Sequence, residues 1–152
     1  MRRPVLFAML AVAALPLPAA AKREAAQVLM PAPEYRGGNE QWGYSEAITD
    51  GDTVYLSGVV AWLRPGETDP AIAYDRAFRQ IGNVLERAGS SWDNVIDMTT
   101  YHTDLPAQLD PFVKVKARYV TAPYPTWTAI DVDRLVSDTG LVEIKVVAKK
   151  VG

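Results

Sequence analysis

Pro123-Tyr-Pro-Thr-Trp-Thr-Ala-Ile-Asp-Val132 and, after a short polar connection, Gly140-Leu-Val-Glu-Ile-Lys-Val146 decide how this chain is read. Both segments alternate around bulky or β-branched residues, the period of a half-buried strand. Together they predict two neighbouring strands near the end of one small domain. On the second, Val142, Ile144 and Val146 make an apolar face, which leaves Glu143 and Lys145 on the opposite one. A carboxylate in that setting is either a solvated or ion-paired strand residue or a general base in a cleft. Glu143 is therefore the candidate for chemistry, and the segment leading into Trp127 the candidate pocket wall.

Upstream, Tyr44–Thr49 and Thr53–Trp62 read as two strands joined by Asp50-Gly51-Asp52, a strong hairpin signal. Simple alternation puts Val54, Leu56 and Gly58 on one side of the second strand, with Tyr55, Ser57 and Val59 on the other. A glycine inside a strand marks a bulge, or a close approach of a ligand or another backbone. Thr68-Asp69-Pro70 starts a helix that runs to about Ala88, with Tyr74, Ala77, Phe78, Ile81, Leu85 and Ala88 at helical spacing and Gly89 as its stop. Val95–Thr103 is a further strand. Asp110-Pro111 opens a second helix to about Thr121, ended by Pro123 and Pro125. The order β-β-α-β-α-β-β predicts an α+β single domain, a sheet with both helices on one face. The other face then needs cover, which a second subunit would supply.

Residues 1–21 read as a cleavable signal peptide: Arg2 and Arg3, an apolar run over 5–17, then Ala19-Ala20-Ala21 as a small-residue cut site. That run is shorter than the roughly 20 residues a membrane span needs. The expected destination is periplasmic or secreted, with no membrane attachment after the cut near Ala21. Residues 22–41, with Pro31, Pro33, Gly37 and Gly38, read as a linker or loosely ordered arm, and 42–152 as the domain. Loss of Arg2 and Arg3 takes the 16 basic residues to 14 against 18 acidic ones, a balance of −4. Such a surface argues against a nucleic-acid partner, because phosphate contacts demand cations. Cysteine is absent, so an exported chain must hold itself by packing, and association would help.

Several chemistries lack their residues. One histidine, His102, and no cysteine give no metal-ligand spacing. His102 is expected as a half-buried polar residue at its strand end. Gly37-Gly38 lies outside any strand-to-helix turn, so it does not cradle phosphate. Ser57 stands in no G-x-S-x-G elbow, which argues against a serine hydrolase.

The motifs together resemble one family. Tyr44-Ser-Glu-Ala, Asp50-Gly-Asp, Tyr55-Leu-Ser-Gly58, Asn83-Val-Leu-Glu-Arg-Ala-Gly89, Trp92-Asp-Asn-Val-Ile-Asp-Met-Thr-Thr-Tyr, Pro125-Thr-Trp-Thr-Ala and Val142-Glu-Ile are similar to segments of the Rid, or YjgF, reactive-intermediate deaminases. The resemblance spans about Tyr44 to Ala148. It implies a chorismate-mutase-like subunit and a homotrimer with sheets inward, helices outward and small-molecule clefts between subunits. It further implies cofactor-free, metal-free hydrolysis of imines and enamines formed from amino acids, giving a keto acid and ammonia. Glu143 matches the water-handling carboxylate, Tyr44 a cleft aromatic, and Ser57 and Gly58 the strand edge lining the pocket.

The family's substrate-clamping arginine lies in a Pro-Ala-Arg-Ser motif, which here reads Pro125-Thr126-Trp127-Thr128. Trp127 stands in the arginine's place with Thr128 beside it, and Lys116 stands where asparagine is frequent on the second helix. A charge-assisted fork to carboxylate contributes about 1.5–3 kcal/mol. An indole has one donor and no charge, so it cannot replace that fork. The implied function is a divergent exported hydrolase of small imines or enamines without an α-carboxylate, with Trp127, Thr128 and Lys116 among the substrate contacts. The alternative is a non-catalytic trimer that binds a flat or apolar small molecule. Ribonuclease activity, which some family labels suggest, is opposed by the acidic charge and the export signal.

Overall fold

The computed structural model describes residues 24–151, so the expected signal peptide lies outside the described residues. Seven strands form one mixed sheet: β1 (Val28–Leu29), β2 (Ala47–Asp50), β3 (Thr53–Leu56), β4 (Val59–Trp62), β5 (Val95–His102), β6 (Thr126–Asp131) and β7 (Gly140–Lys149). The helices are α1 (Gly37–Trp42), α2 (Pro70–Arg87) and α3 (Leu105–Lys116). Sheet order is β1-β2-β3-β7-β5-β6, with β4 also paired to β7. The α+β single domain expected from the sequence is what the chain forms.

Asp69 caps α2 by accepting from the Ala71 N–H at 2.9 Å, and Gly89 closes it at φ 75°. Tyr74, Ala77, Phe78, Ile81 and Leu85 are all buried, the stripe that the spacing predicts. They meet Phe112 and Val115 of α3 and the inward residues of the sheet, including Val54, Met98, Val142, Ile144 and Val146. Both long helices thus cover one sheet face. The other carries Tyr55 and Ile130, each more than a third exposed, together with exposed Lys145.

Four local readings change. The arm is not loose: β1 pairs with β2, and the Arg87 guanidinium holds both the Met30 carbonyl and Glu46. α3 begins at the Asp104 cap, whose carboxylate accepts from Ala107 N–H, rather than at Asp110. Pro111 lies inside it; two Asp/Pro start signals stand six residues apart, and the earlier one won. The helix also ends at Lys116, well before the prolines.

The third change concerns the strand carrying Gly58. Tyr55 faces Val147, yet Val59 faces Ile144, so four steps along one strand match three along β7. The extra residue is a bulge at Leu56–Gly58, and it resets the alternation. Val59 and Ala61 therefore join Val54 and Leu56 in the core, and Val60 emerges on the open face.

The last concerns the two closing segments, which are not neighbours. β6 pairs in parallel with β5, and β5 pairs antiparallel with β7 and lies between them. A parallel β5–α3–β6 crossover carries β6 outward to the sheet edge. β5 thus separates Trp127 from Glu143.

Candidate functional site

β7 alternates as its sequence predicts: Val142, Ile144, Val146 and Ala148 are buried, while Glu143 and Lys145 face away from the helices. Glu143 is flanked by Val60 on β4 and Tyr101 on β5. Its carboxylate folds back over Gly58. A Cβ at position 58 would overlap Oε1 outright and stand 2.6 Å from Cδ and 2.8 Å from Cγ. Gly58 is not in the left-handed region. This seat for the carboxylate requires glycine, because the bulge brings the backbone against the Glu143 side chain and only a hydrogen fits between.

A pocket of about 410 Å³ opens above this contact, lined by Gly38, Trp42, Tyr44, Ser57, Gly58, Val60, Val136 and Glu143. Four expected site residues, Tyr44, Ser57, Gly58 and Glu143, thus meet in one place. The Ser57 hydroxyl donates to the Ser45 carbonyl at 2.6 Å, and its N–H donates to the Glu46 carbonyl at 2.9 Å. The bulge is pinned from the β2 side, and Ser57 Oγ keeps its lone pairs for a ligand. Among the described residues Glu143 has no ion-pair partner.

Trp42, Gly38 and Val136 were not legible as site residues. Trp42 closes α1, where Gly43 at φ 69° ends the helix and the chain turns into Tyr44. A short helix in a glycine- and proline-rich stretch leaves little periodic signal. Val136 belongs to the connection before β7, which lies close against β4: a Cβ at Gly140 would stand 3.0 Å from Val60 Cγ1 and 3.1 Å from Leu135 Cδ1.

Trp127, Lys116 and Thr128 do not join them. Trp127 sits opposite Met98 on the helix face, its ring 6.2 Å from Phe112. Its indole N–H donates to Thr100 Oγ1 at 3.0 Å, and Lys116 Nζ lies 3.9 Å above the ring. Burial lowers the Lys116 pKa from its ordinary value. Within one chain, neither residue reaches the Glu143 pocket, because the sheet stands between. Thr128 is on the open face opposite Thr99 of β5, which places it two strands from β7.

His102 is fully buried rather than half-buried. Its Nε2 lies 3.0 Å from Thr100 Oγ1, and its ring meets Phe112 edge-on at 5.1 Å. Thr100 Oγ1 thus joins the Trp127 indole N–H and the His102 ring, while His102 Nδ1 is buried without a hydrogen-bond partner. Burial holds this imidazole below its usual 6.5, against smaller opposing pulls from Gln108 and Asp131. It is a core residue, remote from the pocket lining. Among the described residues no cluster of histidine and acidic side chains could hold a metal ion, and no helix is long and apolar enough to cross a membrane.

Fold and site define a class: a small α+β subunit with helices on one sheet face and a carboxylate set into a pocket on the other. The family model described as Endoribonuclease L-PSP matches residues 39–150. This chain belongs to that family, the Rid/YjgF family. It is 37% identical over 109 residues to the RutC family protein YjgH of Escherichia coli (strain K12), covering 70% of this chain and 82% of that protein. A RutC family protein of Pyrococcus abyssi (strain GE5 / Orsay) is 31% identical over 116 residues, 70% of this chain and 86% of that protein. Among solved structures, protein YJGH superposes with a TM-score of 0.70 at 33% identity, covering 81% of this chain and 95% of that one. RidA from the Antarctic bacterium Psychrobacter sp. PAMC 21119 superposes at 0.63 and 26% identity, covering 81% and 94%.

Proposed function

We propose that this protein is a Rid-type hydrolase of small imines and enamines, with Glu143 as its general acid/base. The observation that carries the reading is the seating of the Glu143 carboxylate over Gly58 at the floor of an open pocket. On the protonated imine, the carboxylate takes a proton from water as the water oxygen bonds to the imine carbon, then returns it to nitrogen. The C–N bond breaks as the carbinolamine hydroxyl forms the carbonyl and passes its proton to the departing ammonia. One water enters; a carbonyl compound and ammonia leave. Proton transfer by a positioned side chain contributes about 10²–10⁴-fold.

Substrate preference follows from what surrounds the carboxylate. With no cation in the lining, the pocket suits imines without an α-carboxylate. Association into a homotrimer would cover the open face carrying Tyr55, Ile130 and Lys145 and wall the pocket from a second subunit. Export by residues 1–21 and residence in the periplasm or outside the cell complete the reading. Endoribonuclease activity is not part of it, since loss of Arg2 and Arg3 leaves 14 basic against 18 acidic residues, a balance that argues against phosphate contacts.

The test is ammonia release from a panel of neutral imines and from 2-aminoacrylate, with wild type and Glu143→Gln. The expected result is acceleration of the neutral imines and a loss of at least about 100-fold in Glu143→Gln. Equal rates for the two proteins would end the hydrolase reading. Ligand binding with no acceleration over buffer would identify a non-catalytic small-molecule binder, a reading that the Trp42 and Tyr44 rings favour.

A further inference from the structure

The charge inventory of the pocket goes beyond the reaction class. Its lining holds one carboxylate, two aromatic rings and two valines, with no lysine, arginine or histidine. Nearby cations are engaged or face elsewhere: Arg87 pairs with Glu46, Arg76 pairs with Glu67, and Lys116 lies over Trp127 beneath α3. Lys145 shares the open face but lines a neighbouring hollow of about 360 Å³, beside Tyr55 and Ser45. The hydroxyl of Ser57 has spent its proton on the Ser45 carbonyl, so toward the pocket it accepts. Glu143 and Ser57 are thus acceptors set together on the floor. Trp42 is 66% exposed and Tyr44 47% in one chain, so both lining rings present free surface to a ligand.

We propose that the pocket selects organic cations carried on a flat apolar body, a protonated imine or amine without a carboxylate, and that Trp42 is a specificity-determining residue. The cationic nitrogen donates to Glu143 and Ser57 while the aromatic faces attract its charge and cover its body. A carboxylate in the same place would meet Glu143 with no compensating cation. The inference rests on the hydrolase reading only for the identity of the natural ligand. It names the charged form, R2C=NH2+, on which water addition yields R2C=O and NH4+.

Binding of unreactive probes tests it apart from catalysis. Isothermal titration of the full chain would use benzyltrimethylammonium, benzyl alcohol and phenylacetate, with wild type, Glu143→Gln, Trp42→Ala and Lys145→Met. Benzyltrimethylammonium should bind at least about ten-fold tighter than phenylacetate. Glu143→Gln should remove that preference, Trp42→Ala should weaken the cation about three- to ten-fold, and Lys145→Met should leave it unchanged or tighter. Because Trp42 is largely exposed, its truncation does not endanger the fold. Phenylacetate binding tightest and losing affinity in Lys145→Met would overturn the proposal in favour of Lys145 as an anion anchor. Equal affinities, or no binding by any probe, would overturn it as well. A cation preference found in a protein that hydrolyses nothing would sink the hydrolase reading alone.

Discussion

Gly58→Ala isolates the contact on which the proposed chemistry depends. The new methyl would overlap Glu143 Oε1 and stand 2.6 Å from Cδ, whereas ordinary van der Waals contact begins near 3.4 Å, so Cδ must retreat by roughly 1 Å and Oε1 by more. The retreating atoms are the end of a flexible side chain facing an open pocket, so the fold can absorb the change. Moving Glu143 off its rotamer costs about 0.5–1.5 kcal/mol. Alanine at a position outside the left-handed region recovers about 0.4–1 kcal/mol by restricting the unfolded chain. These oppose each other, so Tm should stay within about 4 °C of wild type. A misplacement of about 1 Å costs on the order of 100-fold in rate. The assay pairs thermal unfolding with ammonia release from a neutral imine and a crystal structure of the variant. Activity within about three-fold of wild type would refute the reasoning, and so would a native Glu143 position in the variant. Collapse of the fold would refute the claim that the side chain can yield.

Trp127→Phe removes the hydrogen bond to Thr100 and weakens the stacking of Lys116; it should cost about 1–2 kcal/mol in urea unfolding. Because the indole lies beneath α3, ligand affinity in the Glu143 pocket should not change, and a shift of ten-fold would show that Trp127 reaches a pocket after all. His102 gives a pH dependence. Its folded pKa lies below 6.5, so the unfolded chain binds the extra proton first. Stability should be full above about pH 7 and fall as pH drops below 6.5 toward the folded value, read as unfolding free energy against pH. His102→Asn should flatten that slope, and an unchanged slope would locate the titration elsewhere.

Much of the architecture was legible because it rests on period and caps. The α2 stripe, its Asp69 start and Gly89 stop, and the β7 alternation are local patterns whose spacing has one efficient solution. The α3 start was misread because Asp104-Leu-Pro106 and Asp110-Pro111 offer the same local signal. Contacts upstream of Asp110 choose between them: Gln108 is buried and donates to Thr103 Oγ1, and Leu105 N–H donates to the Asp131 carboxylate. Parity after Leu56 was misread for a similar reason. The glycine announced a bulge, but which residues it returned to the core depended on the pairing with β7.

By itself, then, the sequence determined that this is an α+β domain with helices on one sheet face, that Glu143 leaves the core side, and that Gly58 marks a bulge or a close approach. Those conclusions need only the two-residue and 3.6-residue periods and the size of a side chain. Tertiary structure decided everything that depends on strand order. By inserting β5 between the two closing segments, it sent Trp127 under α3 to Thr100 and Lys116, away from Glu143. By docking the arm on β2, it brought Trp42 to the pocket instead. No local pattern carries that exchange of one tryptophan for another. It follows from a parallel crossover and an antiparallel pairing, which join residues far apart in the chain.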